Sequence, residues 1–166
     1  MKKTLALLLT LVLTISVCLP AMAATAQYPS TKAFLTTLDE ADINYTVNGI
    51  NENNYEEVSV ANTDDNGFSY TIRLFFEDNN ENCGIRVWNI IHFNDADFSK
   101  LLRICNTLNN DYKYISFSVD ESDNTITASM DLIYRSHDIG DIVLEAVLRM
   151  ASILQDTYPQ LAAFDK

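Results

Sequence analysis

The chain has 166 residues, 48% of them hydrophobic, and sets 23 Asp and Glu against 11 Lys and Arg for a formal charge of −12. That balance excludes the basic footprint that nucleic acids and anionic membrane surfaces require, and leaves solubility, cationic partners or Ca²⁺ as its natural counterparts. The length suits one domain with a sizeable core.

The first residues read as a targeting segment. Met1, Lys2 and Lys3 give a basic start, residues 4–19 are an apolar run too short to span a bilayer comfortably, and Pro20 precedes Ala21-Met22-Ala23, with small residues at both cleavage positions. The expectation is a signal peptide over 1–23, removed to leave a single domain over 24–166. Ala24-Thr25-Ala26 offers a second cut. Loss of Lys2 and Lys3 takes the charge from −12 to −14. Cys18 follows Val17, where a lipoprotein signal needs a small residue, so it reads as part of the apolar core of the signal. No later run is long enough to cross a membrane, and the mature protein is expected to be soluble. A secreted form and a periplasmic or cell-envelope form both remain open. Two cysteines, Cys83 and Cys105, stay in the mature chain. Export permits a disulfide, but spacing in sequence does not establish one, and two buried or unpaired thiols are the preferred reading.

In chain order, Pro29-Ser30-Thr31 predicts a helix start with a hydroxyl cap, and Phe34, Leu35, Leu38 and Ala41 recur at helical spacing up to Asp42. Residues 43–47 form a brief extended piece broken by Asn48-Gly49, and the Asn-rich stretch 50–55 reads as loop. Three strands are then predicted. Val58 and Val60 share a face in 57–63. Asp64-Asp65-Asn66-Gly67 signals a hairpin. In 68–77, Phe68, Tyr70, Ile72, Leu74 and Phe76 alternate with Ser69, Thr71, Arg73 and Phe75. In 83–93, Ile85, Val87, Asn89, Ile91 and Phe93 alternate with Arg86, Trp88, Ile90 and His92.

Asn94 is expected to cap a central helix over 95–108, with Asp95 and Asp97 at its positive end and a stripe of Phe98, Leu101, Leu102, Cys105 and Leu108. A hairpin over 114–134 follows. Ile115, Phe117 and Val119 face one way in its first strand. In the second, Ile126, Ala128, Met130, Leu132 and Tyr134 oppose Thr125, Thr127, Ser129, Asp131 and Ile133. A last helix begins near residues 138–140 and carries Val143, Ala146, Val147, Met150, Ile153 and Leu154 on its apolar face. It is expected to stop at Pro159, with residues 161–164 docking back. The fold class is α+β in the order α-β-β-β-α-β-β-α: an antiparallel sheet of about five strands with helices on one face.

Residues 101–161 resemble the YbjN family, described as bacterial sensory-transduction regulators. The resemblance rests on Leu-Leu-Arg-Ile-Cys-Asn-Thr-Leu-Asn (101–109), the strand 113–119, the acidic turn 120–124, the strand 125–132 and the closing helix 142–154. The upstream helix and three strands agree in order. It contains one modest motif, Asn106-x-x-Asn109, and no catalytic signature. It implies a fold like that of type III secretion chaperones, non-enzymatic binders that are often dimeric. The signal peptide departs from a cytosolic role of that kind.

No constellation points to chemistry. His92 and His137 stand outside any zinc-binding pattern, and four glycines supply no phosphate-cradling loop. No G-x-S-x-G occurs. Asn62-x-Asp64-x-Asn66-Gly67 imitates half a Ca²⁺ loop but has Arg73 at the bidentate position, and Asp78-x-Asn80-x-Asn82 has Cys83 where Gly is required. Asn109 falls on the inner side of its helix and needs a partner, most simply at the helix end or the loop beyond. The remaining candidate is the sheet face turned away from the helices, where Arg73, Phe75, Arg86, Trp88 and Ile90 are expected together, with Ile133 beside them. The expectation is therefore an exported, non-enzymatic interaction module without cofactor or metal. It binds a protein or peptide partner, or itself as a homodimer, with no nucleic acid and no membrane after cleavage. The alternative is a small-ligand receptor or hydrolase-type enzyme with a pocket between sheet and helices.

Overall fold

A computed structural model describes residues 25–65, 67–135 and 138–166. The expected signal peptide, Cys18, the Ala23 cut and His137 lie outside the described residues, as does Asn66 of the first hairpin turn. Among the described residues, three α-helices, α1 (Pro29–Glu40), α2 (Phe98–Asp111) and α3 (Ile139–Ala162), accompany six strands, β1 (Thr46–Ile50), β2 (Glu56–Thr63), β3 (Ser69–Phe76), β4 (Asn82–Val87), β5 (Ser116–Asp120) and β6 (Thr125–Ile133). The strands form one antiparallel sheet in the order β1-β2-β3-β4-β6-β5, so the fold is α+β with the element order expected plus one strand.

The period-2 pattern decides which face is covered. Val58, Leu74, Ile85 and Met130 stand opposite one another across four strands and all are buried. Phe34 and Leu38 of α1, Leu101, Cys105 and Leu108 of α2, and Val143, Met150 and Leu154 of α3 join them in one core. Each large side chain taken out of water here stabilises the fold by roughly 1.5–3 kcal/mol. Helices α1 and α3 meet at Gly140, where a Cβ would overlap Thr37 Oγ1 and lie 3.1 Å from the Ala33 carbonyl oxygen.

Several local expectations are corrected. The piece before Asn48 does not break; β1 continues to Ile50 through a bulge, since Val47 pairs with Val58 and Gly49 with Glu57, and Gly49 takes a φ of 91° that suits glycine. No hydroxyl caps α1. Instead the carboxylate of Glu56, fully buried at the start of β2, accepts the N–H groups of Gln27 at 2.6 Å and Tyr28 at 2.8 Å. Asn94 makes no side-chain cap, and a 3₁₀ turn at Asp95–Asp97 precedes α2. Leu102 leaves the expected stripe and is 44% exposed. Pro159 does not end α3, which runs to Ala162. Proline there gives up only the bond to the Gln155 carbonyl, and Leu161, fully buried, anchors the final turn. The C-terminus docks as expected, with the Lys166 N–H donating to the His92 carbonyl at 2.9 Å and the His92 N–H to Asp165 Oδ1 at 2.8 Å.

Candidate functional site

The sheet face away from the core carries two cross-strand rows. Ser59, Arg73, Arg86 and Ser129 stand opposite one another in the first, and Glu57, Phe75, Gly84 and Asp131 in the second. Two arginines directly opposite each other would repel. Each turns instead to a carboxylate of the second row on its outer neighbour strand: Arg73 Nη1 donates to Glu57 Oε1 at 3.2 Å, and Arg86 Nη2 to Asp131 Oδ1 at 2.7 Å. Arg86 Nη1 also donates to the Ile85 and Met130 carbonyls at 2.9 and 3.0 Å, which pins that guanidinium to the sheet.

Trp88 follows directly on β4, is 44% exposed, and brings the row residues together. The Arg73 guanidinium carbon lies 5.4 Å from the Trp88 ring centroid, and the Phe75 ring packs edge-on at 5.5 Å. Tyr55 extends the line from the loop before β2, 6.5 Å from Phe75. Around these rings lies an open depression of about 620 Å³, with Asn51, Asn53, Asp131 and Ile133 on its rim. Ile133 is 86% exposed. Gly84 forms the floor: a Cβ there would lie 3.4 Å from Asp131 Oδ1 and 3.5 Å from both Arg86 Nη atoms.

Four of the five residues expected on this face therefore share it. Ile90 does not. Strand β4 ends at Val87, Asn89 takes a φ of 55°, and the turn carries both Ile90 and Ile91 inward. Ile90, expected on the open face, is 3% exposed, and its N–H donates to the Ile126 carbonyl at 2.9 Å, while Asn89, expected inside, is exposed. Sequence reasoning missed Tyr55, hidden in a stretch read as loop, and Asp131, although its alternation with Leu132 and Ile133 already placed it on this side.

The chain's other candidates have structural partners. Asn109, on α2, gives its amide to β5: Nδ2 donates to the Phe117 carbonyl at 3.0 Å and Oδ1 accepts the Phe117 N–H at 2.6 Å. Asn106 is exposed. Cys83 and Cys105 are both free and buried, and burial raises both thiols, Cys105 to about 11 and Cys83 further. Such thiols stay protonated and unreactive near neutral pH. The turns that imitate Ca²⁺ loops are closed by their own bonds: Asp64 Oδ1 accepts the Phe68 N–H at 2.9 Å, and Asn80 Nδ2 donates to the Asp78 carbonyl at 2.8 Å, while Asp78 Oδ2 accepts from Asn54 Nδ2 of the loop before β2 at 2.9 Å. Among the described residues, no group of three or more His, Cys, Asp or Glu side chains could hold a metal ion. Between sheet and helices the space is filled by Phe34, Phe76, Ile85, Met150 and Leu154. Among the described residues no helix is long and apolar enough to cross a membrane.

With this geometry in place, comparison with known families gives a match over residues 31–161 to the model of YbjN, described as "Putative bacterial sensory transduction regulator". The chain belongs to the YbjN family. No protein with a curated description matches it. Among the described residues, the match takes in every helix and strand of this YbjN domain except the first two residues of α1 and the last residue of α3. It includes the open face as well as the Asn109 clamp. A regulatory role of the kind the family description names fits a domain whose interior is packed and whose distinctive chemistry lies on one exposed face.

Proposed function

We propose that this YbjN domain is an exported, non-enzymatic binding module and that it engages its partner through the open sheet face. The observation that carries the reading is the exposed Trp88, held between Arg73 and Phe75 in a depression of about 620 Å³ on the side of the sheet that, among the described residues, no helix covers. Aromatic and arginine side chains on one surface are the residue types that dominate recognition energies, and the volume falls within the range of ligand sites. Export is supported by the basic start, apolar run and small residues of 1–23. Two occupants suggested by the sequence are a protein or peptide segment and a second copy of the chain.

The test uses the protein purified after export as bait on an envelope fraction of its host, beside a Trp88→Ala bait shown by circular dichroism to be folded. Retention of a component by the first bait and its loss from the second is the expected result. Equal retention by both removes the open face from the reading. N-terminal sequencing of the exported protein tests processing, with Ala24 expected as the first residue.

A further inference from the structure

The charged side chains in and beside the depression on the open face are already engaged, Glu77 through the Asn79 and Asn82 amides, which donate to its Oε2 at 2.8 and 2.9 Å. Arg73 is paired with Glu57, and Arg86 with Asp131 and two backbone carbonyls. An anionic ligand would have to displace those carboxylates, and would approach a chain of net charge −12. A cationic ligand meets Trp88 with the Arg73 guanidinium already over its ring. A purely apolar ligand would strip water from two ion pairs, which costs more than their attraction returns. A peptide strand binds sheets by pairing with a free edge, whereas the depression lies over the inner strands β3, β4 and β6, whose backbones pair with neighbours on both sides. A second copy brings the same acidic charge to the same surface.

The chemistry left is neutral and polar with flat apolar faces. Tyr55, Phe75 and Trp88 present ring surfaces at changing angles, with 78° between the first two and 63° between the next. Among them stand groups able to meet hydroxyls: the Asn51 and Asn53 amides and the second oxygen of Asp131. A sugar ring has this pattern, with C–H groups on its faces and hydroxyls around its edge that both donate and accept. We propose that the depression binds a neutral oligosaccharide, stacked on the Tyr55–Phe75–Trp88 line and hydrogen-bonded by Asn53 and Asp131. The proposal rests on the open face being the binding surface.

Trp88 is the sole tryptophan of the chain, so its emission reports on this site alone. Neutral tetrasaccharides of glucose, N-acetylglucosamine, xylose and mannose are titrated to millimolar concentration into the purified protein. At least one is expected to shift the emission saturably. Tyr55→Ala should weaken that ligand by about tenfold, the loss of one ring contact. Asn53→Ala, on the exposed loop before β2, should weaken it as well. The proposal is overturned if no sugar gives a saturable shift, or if the shift is unchanged in both variants. Should the sugars fail while Trp88→Ala still abolishes retention of the envelope component, the oligosaccharide is wrong and the binding face stands. If retention also survives Trp88→Ala, both fall.

Discussion

The side-chain amide of Asn109 occupies both backbone groups of one residue, Phe117, donating to its carbonyl at 3.0 Å and accepting its N–H at 2.6 Å. Strand β5 is the last strand of the sheet, and its outward N–H and C=O groups would otherwise invite another chain. The amide imitates a neighbouring strand for one residue and ties α2 to the sheet edge. Asn109→Ala removes both bonds and should cost about 1–3 kcal/mol, read as a lower urea midpoint. It should also raise concentration-dependent association in light scattering. A variant that stays monomeric and keeps the wild-type midpoint would show that the edge needs no guard.

Glu56 plays a comparable part at the other end of the chain. Its carboxylate is fully buried and receives two backbone N–H groups that lead into α1. Glu56→Ala leaves those donors unsatisfied and opens a cavity, and should destabilise by about 2–4 kcal/mol. Glu56→Gln keeps one acceptor and should fall between wild type and alanine. Hydrogen exchange at Gln27 and Tyr28 should rise in both variants, and an unchanged rate there would refute the clamp.

Gly140 sets the distance between α1 and α3. A methyl group would overlap Thr37 Oγ1, whose hydroxyl donates to the Ala33 carbonyl at 3.3 Å. Gly140→Ala should therefore destabilise by about 1–3 kcal/mol through overpacking, although alanine is the better helix former. Thr37→Ala removes the obstructing hydroxyl, so the double variant should recover part of the loss in thermal unfolding. Purely additive effects would mean the two sites do not touch.

Much of this architecture was legible in residue order because alternation and helical stripes report burial directly. Leu74, Ile85 and Met130 were placed on the covered face, and Arg73, Phe75, Arg86 and Trp88 on the open one. The departures come from backbone events that a pattern of residue types does not encode. A single positive φ at Asn89 turned Ile90 inward, and a bulge beside Gly49 carried β1 past a sequence that reads as a stop. Glu56 was invisible for another reason: its partners are backbone groups 28 and 29 residues away. The same holds for Tyr55, which reaches Phe75 only once the loop before β2 has closed through Asn51 Oδ1, accepting the Asn53 and Tyr55 N–H groups.

Alkaline pH offers a test of the core itself. Burial raises the Cys105 thiol from 9.0 to about 11, raises Cys83 further, and raises the Tyr134 hydroxyl, which donates to the Asn82 carbonyl at 3.1 Å. In each case the folded protein holds a proton that the unfolded chain gives up at lower pH. Unfolding therefore releases protons once pH passes the unfolded thiol value, and stability falls as pH rises. Its contribution is complete below about pH 9 and declines through pH 11 as Cys105 ionises in the native state. Urea midpoints should be level from pH 7 to about 8.5 and then drop. A Cys83→Ala/Cys105→Ala variant, less stable at neutral pH through lost packing, should show a shallower decline over the same interval. Native Cys83 and Cys105 should also react with a thiol reagent only at the rate of local opening, and both should react at once in urea. A midpoint flat to pH 11, or prompt reaction of either thiol in the native protein, would contradict their burial.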